Sequence, residues 1–139
     1  DAKGRFVMIV AGYPHVIDGF LALDDGLARR FGTVLELQDY SPDDVHSITR
    51  QVVRGAGLTL TPEADAALLA LLRGDAARQL LPSRNASMAH VISSAIRDRL
   101  ASRLAPRLSR DLASVSAEER RTVLAEDVPV SFDARGNAC

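Results

Sequence analysis

The sequence has one cysteine, no tryptophan and almost no charge imbalance. Cys139 is the only thiol among the 139 residues, so an internal disulfide and a cysteine-based zinc site are excluded. His15, His46 and His90 are widely spaced and have no cysteine or paired carboxylate nearby at ligand spacing, which argues against a metal site. The formal net charge of -1 gives no electrostatic reason to expect binding to nucleic acid or to an anionic membrane.

Long apolar runs are also missing. No run approaches the roughly 20 residues of a membrane-spanning helix, and no stretch has the pattern of a signal peptide, so we expect a cytoplasmic protein. The residues that are present suit a packed core, because 47% are hydrophobic and 25% are charged. Residues 1–5 lead straight into the apolar run 6–11, with no initiator Met and no element before the run to pair with. We therefore expect the chain to be a piece of a longer protein.

The first part of the chain predicts strand, helix and strand. Residues 6–11 form a continuous apolar run, typical of a strand buried on both faces. Pro14 opens a helical stretch that Asp24-Asp25-Gly26 interrupts and Gly32 ends. Residues 33–37 then predict a second strand. This order implies a parallel sheet with a right-handed crossover, and because two parallel strands are not stable alone, we expect further strands upstream.

From Ser41 onward the pattern is helical. Ser41-Pro42 and Thr61-Pro62 each place an N-cap residue before a proline at the first helical position. The segment 80–85, which contains Pro82, is predicted to be a connection. A third helix follows from Met88 to Leu104, and Pro106 is expected to end it.

The pattern changes again near the C-terminus. Ser116-Ala117-Glu118-Glu119 predicts a capping box and a short fourth helix. The polar end is expected to fray. The sequence therefore predicts a mostly α fold: an α/β remnant over 1–40, a small all-α bundle over 41–128 and a flexible tail over 129–139.

Four short motifs carry a resemblance to a known family. In chain order they are Val10-Ala11-Gly12-Tyr13-Pro14, Phe20-Leu21, Gly26-Leu27-Ala28-Arg29-Arg30-Phe31 and Asp39-Tyr40-Ser41-Pro42. This order resembles the second half of the AAA+ module of red-type Rubisco activases (CbbX), stage V sporulation protein K and the type VII secretion ATPases. The resemblance implies that residues 1–40 end a P-loop ATPase core and that 41–128 form its helical lid.

The same resemblance implies a role for Arg30. It matches the arginine finger of the family, which points across a subunit boundary toward the γ-phosphate of ATP held by the neighbour. A planar, permanently charged guanidinium suits the charge that spreads over the phosphoryl oxygens in the transition state. Arg29 stands where relatives often have a small residue and is assigned possible support. Charge alone favours a different interpretation, a solvated helix end whose cations complement the helix dipole.

Four further positions correspond to nucleotide sensors in the family. Gly12 and Tyr13 match the end of the first sensor strand, where Tyr13 could offer a hydroxyl. Equally, Gly12 could simply permit a tight turn and Tyr13 could pack at the domain edge. In the lid, Ser87 stands where relatives have the second sensor arginine, and Arg84 stands three residues earlier, close to the same face of a helix.

The sequence lacks the two motifs that grip and activate ATP. It contains neither a G-x-x-x-x-G-K-[ST] loop nor an apolar strand ending in Asp-Glu. We therefore expect ATP and Mg²⁺ to be bound mainly by a missing N-terminal half, and this segment to be inactive alone.

The leading hypothesis is a segment of an AAA+ ATPase that works in a homo-oligomeric ring, by resemblance a hexamer, and remodels a protein substrate, with no nucleic acid and no membrane involved. The alternative is a non-enzymatic helical interaction module, a degenerate AAA+ remnant. A DNA-binding helical domain is a third option that the near-neutral charge disfavours.

Overall fold

The computed structural model describes residues 7–139. The chain divides into two compact units, one up to Leu37 and one from Gln38 to Cys139. In the described residues no helix is long and apolar enough to cross a membrane.

The first unit contains two short helices, α1 (Pro14–Leu21) and α2 (Asp25–Arg30). The helical stretch is interrupted as predicted, but the break lies at residues 22–24, so that Asp25 and Gly26 belong to α2. Asp24 ends the link between the helices and caps α2, because its Oδ1 accepts a hydrogen bond from the Gly26 amide at 2.5 Å. The rings of Phe20 and Phe31 meet edge to face at a centroid distance of 6.0 Å, which joins α1 to the end of α2.

Neither predicted strand of this unit is present. Residues 7–11 and 33–37 have no strand structure, and Phe6 lies outside the described residues. Their apolar side chains are exposed, with Ile9 at 85% and Leu37 at 91% of full exposure. The apolar pattern was correct for a buried strand, but a strand exists only through hydrogen bonds to a neighbour. In the described residues neither stretch pairs with another strand.

The second unit is a helical bundle with a very small sheet. Its helices are α3 (Pro42–Gly55), α4 (Pro62–Arg73), α5 (Asp75–Arg84) and α6 (Ser87–Leu108). The two-residue strands β1 (Thr59–Leu60) and β2 (Thr122–Val123) pair in parallel, with Thr59 opposite Thr122. The apolar faces of α3, α4 and α6 converge on one core, whose largest fully buried side chains are Leu68, Leu72, Met88, Ile92, Ile96 and Val45.

The two predicted N-caps of this unit are confirmed. Ser41 and Asp44 form a reciprocal capping box: the Ser41 Oγ accepts from the Asp44 amide at 3.2 Å, and the Asp44 carboxylate accepts from the Ser41 amide at 2.9 Å. The same carboxylate accepts from the Ser41 hydroxyl, and these bonds hold the Asp44 pKa below its ordinary value. Thr61 caps α4 through the Ala64 amide at 3.2 Å.

Three helix predictions were wrong in detail. The predicted connection 80–85 is mostly the second half of α5, which includes Pro82. Pro82 sits near the helix end, where it costs one backbone hydrogen bond, and Leu81 beside it is buried in the core. For a similar reason Pro106 lies inside α6, which continues to Leu108. The Ser116 segment makes its capping bonds with Glu119, yet it forms a turn that enters β2.

The segment predicted to be a flexible tail folds back on itself. Phe132 and Ala138 form an isolated antiparallel bridge, and both pack against the core. The Cys139 amide donates to the Ser131 carbonyl at 2.9 Å. The polar composition of 129–139 gave no sign of these contacts.

An ion pair fixes α6 to the 3₁₀ turn Ala125–Asp127. The Asp127 carboxylate is almost fully buried, with 1% of its side chain exposed. It accepts hydrogen bonds from Nε and Nη2 of Arg103, each at 2.8 Å. It also accepts from the Leu124 amide at 2.9 Å. Hydrogen bonding to this carboxylate raises the pKa of Arg103. The bidentate geometry satisfies a charge that would be costly to bury unpaired.

We predict that Asp127→Ala lowers the free energy of unfolding by about 3 kcal/mol or more, because it leaves the Arg103 guanidinium and the Leu124 amide without their partner. Urea denaturation followed by circular dichroism measures the change. Glu126→Ala is the matched control, since Glu126 is 67% exposed and lies 3.7 Å from Arg103; we expect less than about 1 kcal/mol for it. Equal losses in the two variants would contradict the assignment.

A second, exposed pair predicts a pH dependence. Glu119 accepts hydrogen bonds from Arg107 Nη1 at 2.7 Å and from the Ser116 amide at 2.8 Å. These bonds lower the pKa of Glu119 from 4.5 to about 2, and the bond from Arg107 has the largest effect. Since the folded pKa is depressed, the stabilisation is complete above the unfolded value of 4.5 and is lost as the pH falls toward 2. NMR titration of the Glu119 carboxyl should show the low pKa, and Arg107→Ala should raise it. An unchanged titration in that variant would refute the pairing.

Candidate functional site

The predicted site residues fall into two groups, one in each unit. Gly12, Tyr13, Arg29 and Arg30 lie in the first unit. Arg84 and Ser87 lie in the second, at the junction of α5 and α6.

Arg29 and Arg30 form the last turn of α2, and both side chains are exposed. Within residues 7–139, neither guanidinium makes a hydrogen bond or an ion pair. Position at a helix C-terminus is favourable for a cation because of the helix dipole, so the turn is stable without a partner for either charge. Both guanidinium forks are therefore available to an acceptor outside this unit.

Gly12 and Tyr13 precede α1. A Cβ on Gly12 would lie 3.3 Å from Cδ1 of Ile17, so glycine permits a close approach to the helix. Tyr13 is the N-cap residue of α1 and is 69% exposed, and its ring stacks on His15 at a centroid distance of 6.0 Å. Its hydroxyl makes no hydrogen bond within the described residues. The close approach of Ile17 thus favours the packing interpretation at Gly12. The Tyr13 hydroxyl remains available for a hydrogen bond.

The structure brings Arg84 and Ser87 together at the junction of α5 and α6. The Ser87 hydroxyl donates to the Arg84 carbonyl at 2.6 Å, which ties the start of α6 to the end of α5. The Arg84 guanidinium turns toward the C-terminal segment, where its Nη2 donates to the Arg135 carbonyl at 2.5 Å. It also lies against Gly136, at which a Cβ would come within 3.0 Å of the same nitrogen. Because one donor is used here, the rest of the fork remains available.

The turn that holds Arg84 is organised by Asp133. Its carboxylate accepts from the amides of Arg135 and Asn137 at 2.8 Å each and from the Asn137 side chain at 2.9 Å. These bonds, led by the Asn137 side chain, lower the pKa of Asp133. Gly136 takes φ +78°, a conformation that favours glycine. The position of Arg84 thus depends on residues that the sequence had suggested were an unstructured tail.

Asn85 is the residue at this junction that the sequence analysis missed. It adopts φ +44°, the only positive φ among the described non-glycine residues. Its Oδ1 accepts from the Tyr40 amide at 2.9 Å, and its Nδ2 donates to the Asp39 carboxylate at 2.8 Å. These bonds fix residues 39–40 to the helical unit. A possible signal was asparagine between two helical patterns, because asparagine tolerates positive φ better than other side chains.

The arrangement can supply positive charge, but the described residues do not form a reaction centre of their own. They contain no group of three or more histidine, cysteine, aspartate or glutamate side chains placed to hold a metal ion. What they do present is a pair of exposed arginines on α2 and a third arginine held at the α5–α6 junction. Such groups suit the recognition of an oxyanion such as phosphate.

Comparison with known proteins relates this chain to the AAA+ ATPases. Over 78 residues, or 56% of its length, the chain is 38% identical to the ESX-1 secretion system protein EccA1 of Mycobacterium leprae. A 65-residue match is 32% identical to stage V sporulation protein K of Bacillus subtilis and covers 47% of the chain. The ESX-5 secretion system protein EccA5 of Mycobacterium bovis is 31% identical over 67 residues, or 48% of the chain. These relatives confirm the resemblance that the four motifs carry.

The matches span small parts of the relatives: 13% of EccA1, 20% of stage V sporulation protein K and 11% of EccA5. The activity of the whole proteins therefore does not transfer directly to this chain. In a separate comparison, no protein-family profile matches the chain.

We predict that Asn85→Ala and Asn85→Gly both release residues 39–40, because either change removes the amide that bonds to Asp39 and Tyr40. Amide hydrogen exchange of Tyr40 should become faster in both variants. Alanine should also cost roughly 1 kcal/mol more stability than glycine, since its Cβ is disfavoured at positive φ. Unchanged Tyr40 exchange in both variants would mean that Asn85 does not hold this segment.

Proposed function

We propose that this chain is the C-terminal segment of an AAA+ ATPase that works in a homo-oligomeric ring, by resemblance a hexamer, in the cytoplasm. Residues 1–40 would end the ATPase core and residues 41–128 would form the lid. The ordered run of motifs from Val10 to Pro42 supports this proposal most strongly, together with the partial homology to EccA1 and stage V sporulation protein K. The exposed apolar side chains of 7–11 and 33–37 are consistent with it, because neighbouring strands would cover them.

In this proposal Arg30 is the arginine finger. ATP and Mg²⁺ are bound mainly by a part of the protein that this chain does not include, in the neighbouring subunit, and Arg30 completes that site in trans. The exposure of its side chain and its lack of an ion pair within the described residues support the role, since a finger must be available to the next subunit. The guanidinium would stabilise charge on the phosphoryl oxygens in the transition state. Arg29, beside it, is assigned a supporting role.

The remaining predicted positions would act as nucleotide sensors. Gly12 and Tyr13 would correspond to the first sensor of the family, and Arg84 and Ser87 to the second. Ser87 cannot supply charge, and its hydroxyl is already bonded to the Arg84 carbonyl. Arg84 keeps donors that the Arg135 carbonyl does not use, so it is the better candidate for a lid contact with phosphate. Nucleotide-dependent motion of the lid would then drive remodelling of a protein substrate.

We predict that Arg30→Ala, made in the intact ATPase, lowers the turnover of ATP by about 10³-fold or more, because the transition-state charge loses its partner. ATP affinity should stay nearly the same, since the finger acts after binding. Steady-state phosphate release and equilibrium binding of a fluorescent ATP analogue measure the two quantities.

Arg29→Ala is the matched control, because it removes the neighbouring charge on the same helical turn. It should have a much smaller effect on turnover. Unchanged turnover in Arg30→Ala, or equal losses in the two variants, would reject the finger assignment.

A non-enzymatic interaction module is the second candidate function. Ser87 at the sensor position and the engagement of Arg84 by the Arg135 carbonyl favour it, because both reduce what the lid can offer to a nucleotide. The two proposals differ in whether the intact protein binds ATP. An intact protein that carries a phosphate-binding loop and binds ATP would support the ATPase, and one without detectable ATP binding would support the module.

A further inference from the structure

An open groove runs along the second half of α6, opposite the turn that follows α3. Its volume is about 610 Å³, within the range of known ligand sites. Leu100 and Leu104 form the floor and are almost fully buried, and Leu58 and Leu108 line the sides and are partly buried. The groove is thus an apolar depression on the surface of the helical unit.

The α6 side of the groove is shaped for close approach. Arg97, Ala101, Ala105 and Ser109 line it at intervals of four residues, so they form one row along the helix. Three of these four side chains are short, which lets the backbone of another helix come near. The row spans about 18 Å, the length of some 12 helical residues.

Two arginines, Arg97 and Arg120, line the groove. Arg97 begins the row on α6. Arg120 follows Glu119, whose carboxylate accepts from Arg107 Nη1 at 2.7 Å, so the backbone at 119–120 lies beside the C-terminal part of α6. Positions 97 and 107 are separated by about 15 Å along the helix. No carboxylate lines the groove, and neither Arg97 nor Arg120 forms an ion pair within residues 7–139.

We propose that this groove binds a short amphipathic helix of a partner protein, with apolar side chains spaced at i and i+4 and with acidic residues at both ends. The apolar side chains would lie on Leu100 and Leu104, next to the alanines of α6. The acidic ends would meet Arg97 and Arg120; position 97 and position 107, which contacts the neighbour of Arg120, are about three helical turns apart along α6. Apolar contact gives the affinity, and the two ion pairs at the rim fix the register and the choice of partner.

The groove is separate from the residues of the proposed ATPase function. Arg97 follows Ser87 by ten residues, about 15 Å along α6, so a helix in the groove leaves the α5–α6 junction uncovered. Binding of a helix in the groove therefore does not depend on ATP hydrolysis, and a binding measurement alone can test it.

The test uses the full chain and a fluorescein-labelled helical peptide of three turns, with leucine and alanine on one face and two glutamates at each end. Fluorescence anisotropy should show saturable binding that weakens as salt is raised. The same peptide with lysine in place of glutamate should bind about tenfold more weakly, since two rim pairs are lost. Ala101→Phe should abolish binding of the glutamate peptide by filling the groove.

Charge reversal checks the register. The double variant Arg97→Glu with Arg120→Glu should bind the glutamate peptide about tenfold more weakly. It should bind the lysine peptide more tightly, a gain in affinity that a misfolded variant cannot show. Arg78→Glu is the matched control, because Arg78 is exposed on α5 and does not line the groove; it should change neither affinity. Equal binding of the two peptides, an effect of Arg78→Glu as large as that of the pair, or self-association of the chain through the groove would overturn the proposal.

Discussion

The buried carboxylate of Asp127 is the constraint on which the helical unit depends. It accepts hydrogen bonds from two nitrogens of the Arg103 guanidinium and from a backbone amide, and so joins the C-terminal half of α6 to the segment that follows β2. The same segment follows β2, which pairs with β1, and it leads to the C-terminal turn whose Arg135 carbonyl accepts from Arg84 at the end of α5. The polar residues of this unit thus determine where its apolar helices are held, while the apolar residues supply most of the stability.

The α5–α6 junction is also held by contacts with distant parts of the chain. Arg84 is placed by the Asp133 turn, and Asn85 is placed by the chain segment 39–40. Two segments that are far apart in sequence therefore meet at one corner of the bundle. In the proposed ATPase, this corner is where the lid would respond to nucleotide, and its geometry is set by contacts from both ends of the unit.

The starts of α3 and α4 could be predicted from the sequence because N-caps depend on local chemistry. Ser41 with Pro42 and Thr61 with Pro62 determined where α3 and α4 begin, whatever the rest of the chain does. The strands could not be predicted in the same way. Residues 7–11 have the composition of a buried strand, yet no strand pairs with them in the described residues, while the two-residue pair β1–β2 is too short to leave a pattern.

The candidate site was predictable only where a motif carried it. Arg30 followed from a resemblance, whereas Asn85 and the Asp133 turn matter through contacts across 45 or more positions of sequence. Pro82 misled the helix prediction because a proline near the end of a helix costs little when its neighbour Leu81 is buried.

The central claim of the proposed function is that Arg30 works on the nucleotide of another subunit, and mixed assembly tests it most directly. One subunit type would carry Arg30 and a disabled phosphate-binding loop, and the other would carry an intact loop and Arg30→Ala. Each type alone should be nearly inactive. Mixing them should restore ATP turnover, because the arginine of one subunit completes the site of the next. No recovery in mixtures shown to co-assemble would contradict the claim.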